Sequence, residues 1–244
     1  GCADQGIHQC ARQNRAFREP MMLPRASDAL LELIRAHDTA GVDAMLDADP
    51  VQRTHGGPGG ETLVLYACYT GAPDVAPLLR GARPYDACEA AALGDLHALN
   101  EALDRDADLI SRRSSDGWTP LHLAGFFGRD ECAAFLIDNG APLDALSTNA
   151  IRNTPLHAAL AGATNPTLVR RLIFAGADVE SRGENGIQPL HLAASRGDQA
   201  LCDLLIARGA DPHAAMDDGT TPAKLAESRG FKELAEKLTA KAET

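Results

Sequence analysis

Histidines are the residues of this chain that first suggest chemistry, because imidazole binds zinc and serves as a general base. His122, His157 and His191 each follow a Pro-Leu pair and are separated by 35 and 34 residues. Zinc sites instead bring ligands together in closely spaced pairs. If each histidine lies in its own stacked unit, helix packing separates neighbours by about 10 Å, too far to share one ion. The remaining histidines lack paired spacing: His8, His37, His55, His97 and His213. We therefore expect no metal site.

The cysteines and a glycine-rich segment are the other candidates for chemistry. The chain has six cysteines and no Cys-x-x-Cys pair. Cys2 and Cys10 can pair under oxidising conditions, but the remaining cysteines favour a reducing compartment. Those four are interpreted as small apolar core residues: Cys68, Cys88, Cys132 and Cys202. The segment 56–60 lacks the Lys-Ser/Thr that completes a phosphate-binding loop. We expect no catalytic residue and no cofactor.

A hexapeptide that returns at a nearly constant interval carries the strongest signal in the sequence. It reads TPLHLA from Thr119, TPLHAA from Thr154, QPLHLA from Gln188 and, eroded, TPAKLA from Thr221. The steps are 35, 34 and 33 residues. Self-similarity at a period near 33 is typical of a stacked solenoid. With a Gly nine residues after the Thr in most copies and a later Gly-Ala or Gly-Ala-Asp, the units resemble the ankyrin repeat family.

This resemblance implies an all-α fold, an α/α solenoid of about seven helix-turn-helix units with short β-hairpin fingers. Weaker copies, with Asp28, Thr62 and Tyr85 in the Thr place, add units near 28, 62 and 85 to those near 119, 154, 188 and 221. These first three units are degenerate. In the regular units, Thr caps a helix, and Pro occupies the first helical position, where its missing N–H costs no hydrogen bond. The repeat domain is expected to span residues 26–244.

Two irregularities predict departures from the regular stack. The step from 62 to 85 is only 23 residues, so we expect the finger between the second and third units to be missing. Pro77 falls inside the second helix of the second unit, where proline costs about 3 kcal/mol. That helix is expected to be short or kinked.

The resemblance also implies where function lies. In the family, the repeat histidine hydrogen-bonds between adjacent turns, and Cys88 stands in its place in the third unit. Family members usually bind partner proteins in a concave groove made by the fingers and the ends of the first helices. Carried over by position, the predicted contact residues are Trp118, Phe126, Phe127, Ile151, Asn185, Ile187, Arg196, Asp218 and Arg229. The alternative for the three aromatic residues is inward packing against the neighbouring unit.

Charge and composition narrow the class of partner. The 244 residues carry a formal net charge of −11, and only 4% are aromatic. Nucleic-acid binding needs a basic surface, so the acidic balance argues against it. It favours a protein partner and would suit a basic one, although solubility alone also accounts for the negative charge. No apolar run approaches the 18 residues of a transmembrane helix.

We expect a monomeric, non-catalytic protein-interaction scaffold of bacterial type. One alternative is an inhibitory or immunity-type subunit that blocks a partner enzyme; another is an enzyme with its site in the degenerate first repeats. The basic residues 1–25 are expected to form a flexible extension of a cytoplasmic protein. If Cys2 is a processed N-terminus, the protein is instead secreted or lipid-anchored.

Overall fold

The computed structural model describes residues 23–162 and 165–242, and these form fourteen α-helices arranged as seven consecutive pairs. The expected extension, with Cys2 and Cys10, lies almost wholly outside the described residues. The helices are α1 Asp28–Arg35, α2 Thr39–Ala48, α3 Leu63–Tyr69, α4 Ala76–Arg80, α5 Ala87–Leu93, α6 Leu96–Arg105, α7 Pro120–Phe126, α8 Asp130–Asp138, α9 Pro155–Ala161, α10 Pro166–Ala175, α11 Pro189–Ser195, α12 Gln199–Ala207, α13 Pro222–Ser228 and α14 Lys232–Ala242. Each pair is one of the seven predicted units.

The first helix of most units begins at a capped residue, as the motif predicts. The hydroxyl oxygens of Thr62, Thr119, Thr154 and Thr221 each accept a hydrogen bond from the N–H three residues later. This bond satisfies an N–H that the helix itself leaves without a partner.

In two degenerate units the predicted start is wrong by one residue. Ser27, rather than Asp28, caps α1, because its hydroxyl accepts from the Leu30 N–H. Asp86, rather than Tyr85, caps α5 through the Glu89 N–H. Tyr85 is a buried core residue.

The units stack through two rows of helices. The first helices pack in the order α3, α5, α7, α9, α11 and α13, and second helices pack beside them, for example α6 on α8 and α8 on α10. Leucine and alanine dominate the contact, and the small side chains of Ala91, Ala124 and Ala159 are buried. Dispersion and apolar burial between neighbouring units therefore hold the fold together, as in other solenoids.

The fingers are hydrogen-bonded turns, whereas the sequence predicted β-hairpins. The ends of each are joined by a backbone bond: Ser114 N–H to Trp118 O, Ser147 to Asn153, Gly183 to Ile187 and Met216 to Thr220, at 2.8–2.9 Å. A further backbone bond lies inside each turn, such as Gly117 N–H to Ser114 O at 2.9 Å. Successive fingers are joined by one further bond each: Thr148 N–H to Gly117 O, Glu184 to Ile151 and Asp217 to Asn185. These bonds close turns and do not extend into a ladder, and no β-strand forms in the described residues.

The second and third units show both predicted irregularities. The helix α4 has five residues, and the short 3₁₀ turn Pro73–Val75 precedes it, since Pro77 occupies its first turn. The connection 81–86 between α4 and α5 is less than half as long as the connection 106–119 between α6 and α7. It leaves no residues for a finger. A gap in the row of fingers therefore lies between the segments 56–61 and 114–118.

Candidate protein-binding surface

The repeat histidines are engaged with the backbone in the way that the resemblance implied. The Thr119 hydroxyl lies 2.7 Å from His122 Nδ1, and His122 Nε2 lies 2.9 Å from the Asn153 carbonyl oxygen. Nδ1 therefore accepts and Nε2 donates, which joins the fourth unit to the fifth. His157 and His191 repeat the contact at 3.2 Å to the carbonyls of Ile187 and Thr220, respectively.

Burial makes these imidazoles neutral. It lowers the pKa of His122 to about 4, although the bond to the Asn153 carbonyl acts in the opposite direction. Burial likewise lowers the pKa of His157 and His191. In the described residues, no three His, Cys, Asp or Glu side chains converge in a way that would hold a metal ion.

The third unit divides the role of the histidine between two residues. The Cys88 thiol lies 3.8 Å from the Trp118 carbonyl, which is the contact that histidine makes in later units. Glu89 replaces histidine in the capping box with Asp86 and receives two bonds from the Arg83 guanidinium, at 2.6 and 2.7 Å. The prediction that Cys88 takes the place of the histidine is therefore wrong by one residue, since Glu89 holds that position; the Cys88 thiol makes only the contact between units.

The cysteines of the described chain are buried free thiols. Burial raises the pKa of Cys68 and Cys202 to about 12 and that of Cys132 to about 11. Because the thiolate is the reactive form, these thiols are chemically inert at neutral pH.

Four aromatic residues, which we call the aromatic cluster, meet where the finger is missing: Tyr69, Trp118, Phe126 and Phe127. The Phe126 ring centroid lies 5.2 Å from that of Trp118 and 5.1 Å from that of Phe127, both edge to face. The Tyr69 ring lies 5.4–6.4 Å from the other three. These separations are typical of favourable aromatic pairs.

Exposure divides this cluster into a buried part and an accessible part. Trp118 is 7% exposed and packs among Leu65, Cys68 and Leu123, so it supports the cluster from below. Phe126 and Phe127 are partly buried, and Tyr69 is 37% exposed. The surface that a partner can touch is therefore formed by the last three rings.

Tyr69 is the functional candidate that the sequence reasoning missed. It lies seven residues after its capping Thr62, as Phe126 lies seven after Thr119, so the repeat template itself contained the signal. The corresponding residue of the intervening third unit, seven residues after its cap Asp86, is Leu93, which is partly buried and packs against the same cluster. The rings of the second and fourth units nevertheless meet across the third, with centroids 5.4–6.4 Å apart.

The other predicted contact residues lie farther along the row and do not join the aromatic cluster. Ile151 is 46% exposed on the fifth finger, and Ile187 is partly buried on the sixth. The polar residues are exposed: Asn185, Arg196, Asp218 and Arg229. Among them, Arg196 donates to the Gly162 carbonyl at 3.1 Å, and Asp218 accepts from the Thr220 N–H at 2.9 Å.

Two fingers hold a residue other than glycine at positive φ; Asn185 of the sixth, at 55°, is of a type that tolerates this conformation, whereas the arginine of the fifth is not. The position two residues before the helix cap is a glycine with positive φ in four fingers: Gly60, Gly117, Gly186 and Gly219. In the fifth unit this position is Arg152, with φ of 48°. A side chain in this region costs about 1–2 kcal/mol, which glycine avoids.

The comparisons with known proteins agree with this architecture. A family model described as ankyrin repeats (3 copies) matches residues 87–165 and 156–244, well over half of the chain. The chain therefore belongs to the ankyrin repeat family. Ankyrin repeats generally mediate protein–protein interaction, and proteins built from them are typically non-catalytic.

Relatives from distant organisms share the repeats. The chain is 39% identical over 112 residues to a putative ankyrin repeat-containing protein of Treponema pallidum, covering 46% of this chain and 37% of that protein. It is 40% identical over 97 residues to a probable E3 ubiquitin-protein ligase of Oryza sativa, covering 39% and 21%. It is 31% identical over 111 residues to the B-cell lymphoma 3 protein homolog of Mus musculus, covering 46% and 24%. The matches span less than two fifths of these relatives.

Among the described residues, no helix has the length and apolar character needed to cross a bilayer.

Proposed function

We propose that this chain is a non-catalytic scaffold that binds a partner protein on the finger face, meaning the fingers and the exposed ends of the first helices. The observation that carries the proposal is the accessible part of the aromatic cluster. Tyr69, Phe126 and Phe127 form one contiguous apolar surface over the buried Trp118. Rigid, partly exposed aromatic residues bordered by polar side chains are typical of interface hot spots.

The continuity of the finger row supports a binding surface longer than this cluster. Backbone bonds link the fingers of the fourth to seventh units, so their tips are held at a fixed spacing. Ile151, on the finger next to the aromatic cluster, adds an exposed apolar side chain. A rigid surface loses little conformational entropy when it binds, which favours its use for recognition.

Site-specific photo-crosslinking in the source cells tests this proposal. Benzoylphenylalanine is placed at Ser115 or Ile151, which are exposed on neighbouring fingers, and separately at Phe174 as the control. Phe174 is 65% exposed on α10, a second helix, and thus has comparable access to proteins away from the finger face.

We expect positions 115 and 151 to yield an adduct with the same protein and position 174 to yield none. Phe127→Ser should then reduce the adduct yield at both finger positions. Adducts at position 174 alone, or the same set of adducts at all three positions, would contradict binding by the finger face. An assay of the captured partner's own activity, with and without the scaffold, distinguishes simple binding from inhibition.

A further inference from the structure

Two carboxylates lie beside the aromatic cluster at the gap in the finger row. Asp116 belongs to the finger on one side of the gap, and its Oδ2 accepts the Tyr69 hydroxyl at 2.5 Å. Glu61 belongs to the finger on the other side, immediately before the capping Thr62. Burial raises the pKa of the Tyr69 hydroxyl far above its usual range, and the charges of Asp116 and Glu61 raise it further. Asp116 thus bonds directly to the Tyr69 hydroxyl, and Glu61 lies just before α3, the helix that carries Tyr69.

Glu61 is unusual because it is buried without a polar partner. The residue is only 8% exposed, yet its carboxylate makes no hydrogen bond and no ion pair among the described residues. It lies against the glycine-rich finger, where a Cβ on Gly59 would come within 2.7 Å of Oε2 and a Cβ on Gly57 would clash with Oε1. Glycines at these positions therefore make room for the carboxylate. No group of the described chain pairs with this carboxylate, so it is available to a cation of another molecule.

The described chain supplies no cation to either carboxylate. Asp116 accepts hydrogen bonds from the hydroxyls of Ser114 and Tyr69, and neither it nor Glu61 pairs with a Lys, Arg or His within the described ranges. Arg129, a cation in the same neighbourhood, donates from Nε to the Ala92 carbonyl instead. The gap thus combines accessible aromatic rings with two carboxylates that carry uncompensated negative charge.

We propose that this gap, formed by Tyr69, Phe127, Asp116 and Glu61, binds an arginine or lysine side chain of the partner protein. The aliphatic stem of that side chain lies against the aromatic rings, and its cationic end reaches the carboxylates. A cation within about 6 Å of an aromatic centroid is attracted by the ring, and pairing with carboxylates adds to this attraction. The inference rests on the proposed function and specifies the chemistry of the partner.

The missing finger is what makes such a site possible. A third-unit finger of ordinary length would stand between the segments 56–61 and 114–118 and cover the Tyr69 ring. In the described chain, no backbone bond joins these two segments, although the later fingers are joined to one another. Across the gap, the hydrogen bond from the Tyr69 hydroxyl to Asp116 links the second unit to the fourth finger.

Fluorescence titration of the full chain with a capped tri-arginine peptide tests the proposal, with capped tri-glutamate as the control ligand. Trp118 is the sole tryptophan, and its ring lies 6.4 Å from that of Tyr69, so its emission reports on the cluster. We expect saturable binding of tri-arginine and none of tri-glutamate.

Matched charge variants separate this site from the general attraction of an acidic protein. The double variant Asp116→Asn, Glu61→Gln should raise the Kd about tenfold, since it removes both carboxylates of the site. The double variant Glu131→Gln, Asp138→Asn removes the same charge from exposed positions of α8, a second helix, and should change the Kd less than about twofold. If the first double variant loses its helical circular dichroism, Asp116→Asn alone should still raise the Kd about threefold.

Equal weakening by the two double variants, or no saturable response to tri-arginine, would overturn the proposal. The crosslinking experiment is independent of this result. Adducts at positions 115 and 151 together with a failed titration would leave the scaffold function standing and exclude the cationic site. No adducts would refute the scaffold function itself.

Discussion

The buried histidine at the junction of the fourth and fifth units predicts a specific loss of stability in mild acid. The pKa of His122 is about 4 in the folded chain, because the ring is buried. In an unfolded chain it is about 6.5. Between these two values the unfolded state binds more protons than the folded state, so the free energy of unfolding rises with pH. The stabilisation is present above about pH 6.5 and is lost as the pH falls towards about 4.

The magnitude follows from the two pKa values. One pKa unit corresponds to about 1.4 kcal/mol, and a group with these values loses about 2 kcal/mol of stabilisation between pH 7 and pH 5. The figure applies in full because His122 is inaccessible to solvent. Protonation of Nδ1 would also replace an acceptor with a donor opposite the Thr119 N–H, which lies 3.3 Å away.

Urea unfolding of the wild type and of His122→Gln at pH 7 and pH 5 measures this effect. Trp118 fluorescence is a suitable signal, since its ring lies 5.8 Å from that of His122. The wild type should lose about 2 kcal/mol more than the variant between the two pH values, while other titrating groups cancel in the difference. His213→Gln removes an exposed imidazole elsewhere and should behave as the wild type. Equal pH dependence in wild type and His122→Gln, or an NMR titration midpoint of His122 above about 6, would refute the reasoning.

Three further substitutions test the fold by chemical denaturation. Arg152→Gly should stabilise the chain by about 0.5–1 kcal/mol, because relief of positive-φ strain exceeds the added entropy of the unfolded state. A loss of stability would show that the arginine side chain makes contacts that compensate for the strain. Glu89→Gln should lower the free energy of unfolding by about 2 kcal/mol, since it weakens both charge-assisted bonds from Arg83. A change under about 0.5 kcal/mol would mean that water solvates this ion pair. Trp118→Ala should lower the free energy of unfolding by about 3–5 kcal/mol, and the exposed control Phe174→Ala should lower it by about 0.5 kcal/mol. Similar losses for the two variants would contradict the burial of Trp118.

The sequence predicted the number of units, their order and the missing finger, because these depend on local features that every copy repeats. A capping Thr, a Pro at the first helical position and a Gly after the helix act within one unit. The error at Tyr85 has the same origin. Its position was counted back from Gly94, but α5 ends directly at this glycine, whereas Phe127 intervenes between α7 and Gly128. A repeat pattern with a fixed distance between cap and glycine does not detect a helix that starts one residue later.

The aromatic cluster could be predicted only in part, because its geometry depends on contacts between units that are not adjacent. Composition drew attention to Trp118, Phe126 and Phe127, but it did not distinguish the buried indole from the accessible rings. Tyr69 belongs to another unit and reaches the others across the third unit, where Leu93 holds the corresponding position. The sequence pattern of a single unit therefore does not predict that these rings lie close together.

The position of the aromatic cluster follows from the same irregularity that makes the early units hard to recognise. A complete third finger would restore a regular row and shield Tyr69, and the hydroxyl could not then reach Asp116 across the gap. Selection for a regular stack would favour such a finger, since each finger adds backbone bonds of its own and one to its neighbour. The chain instead leaves this place open, keeps two carboxylates there without a cation and lines it with aromatic rings. Loss of regularity at this point is thus a condition for the recognition site that we propose.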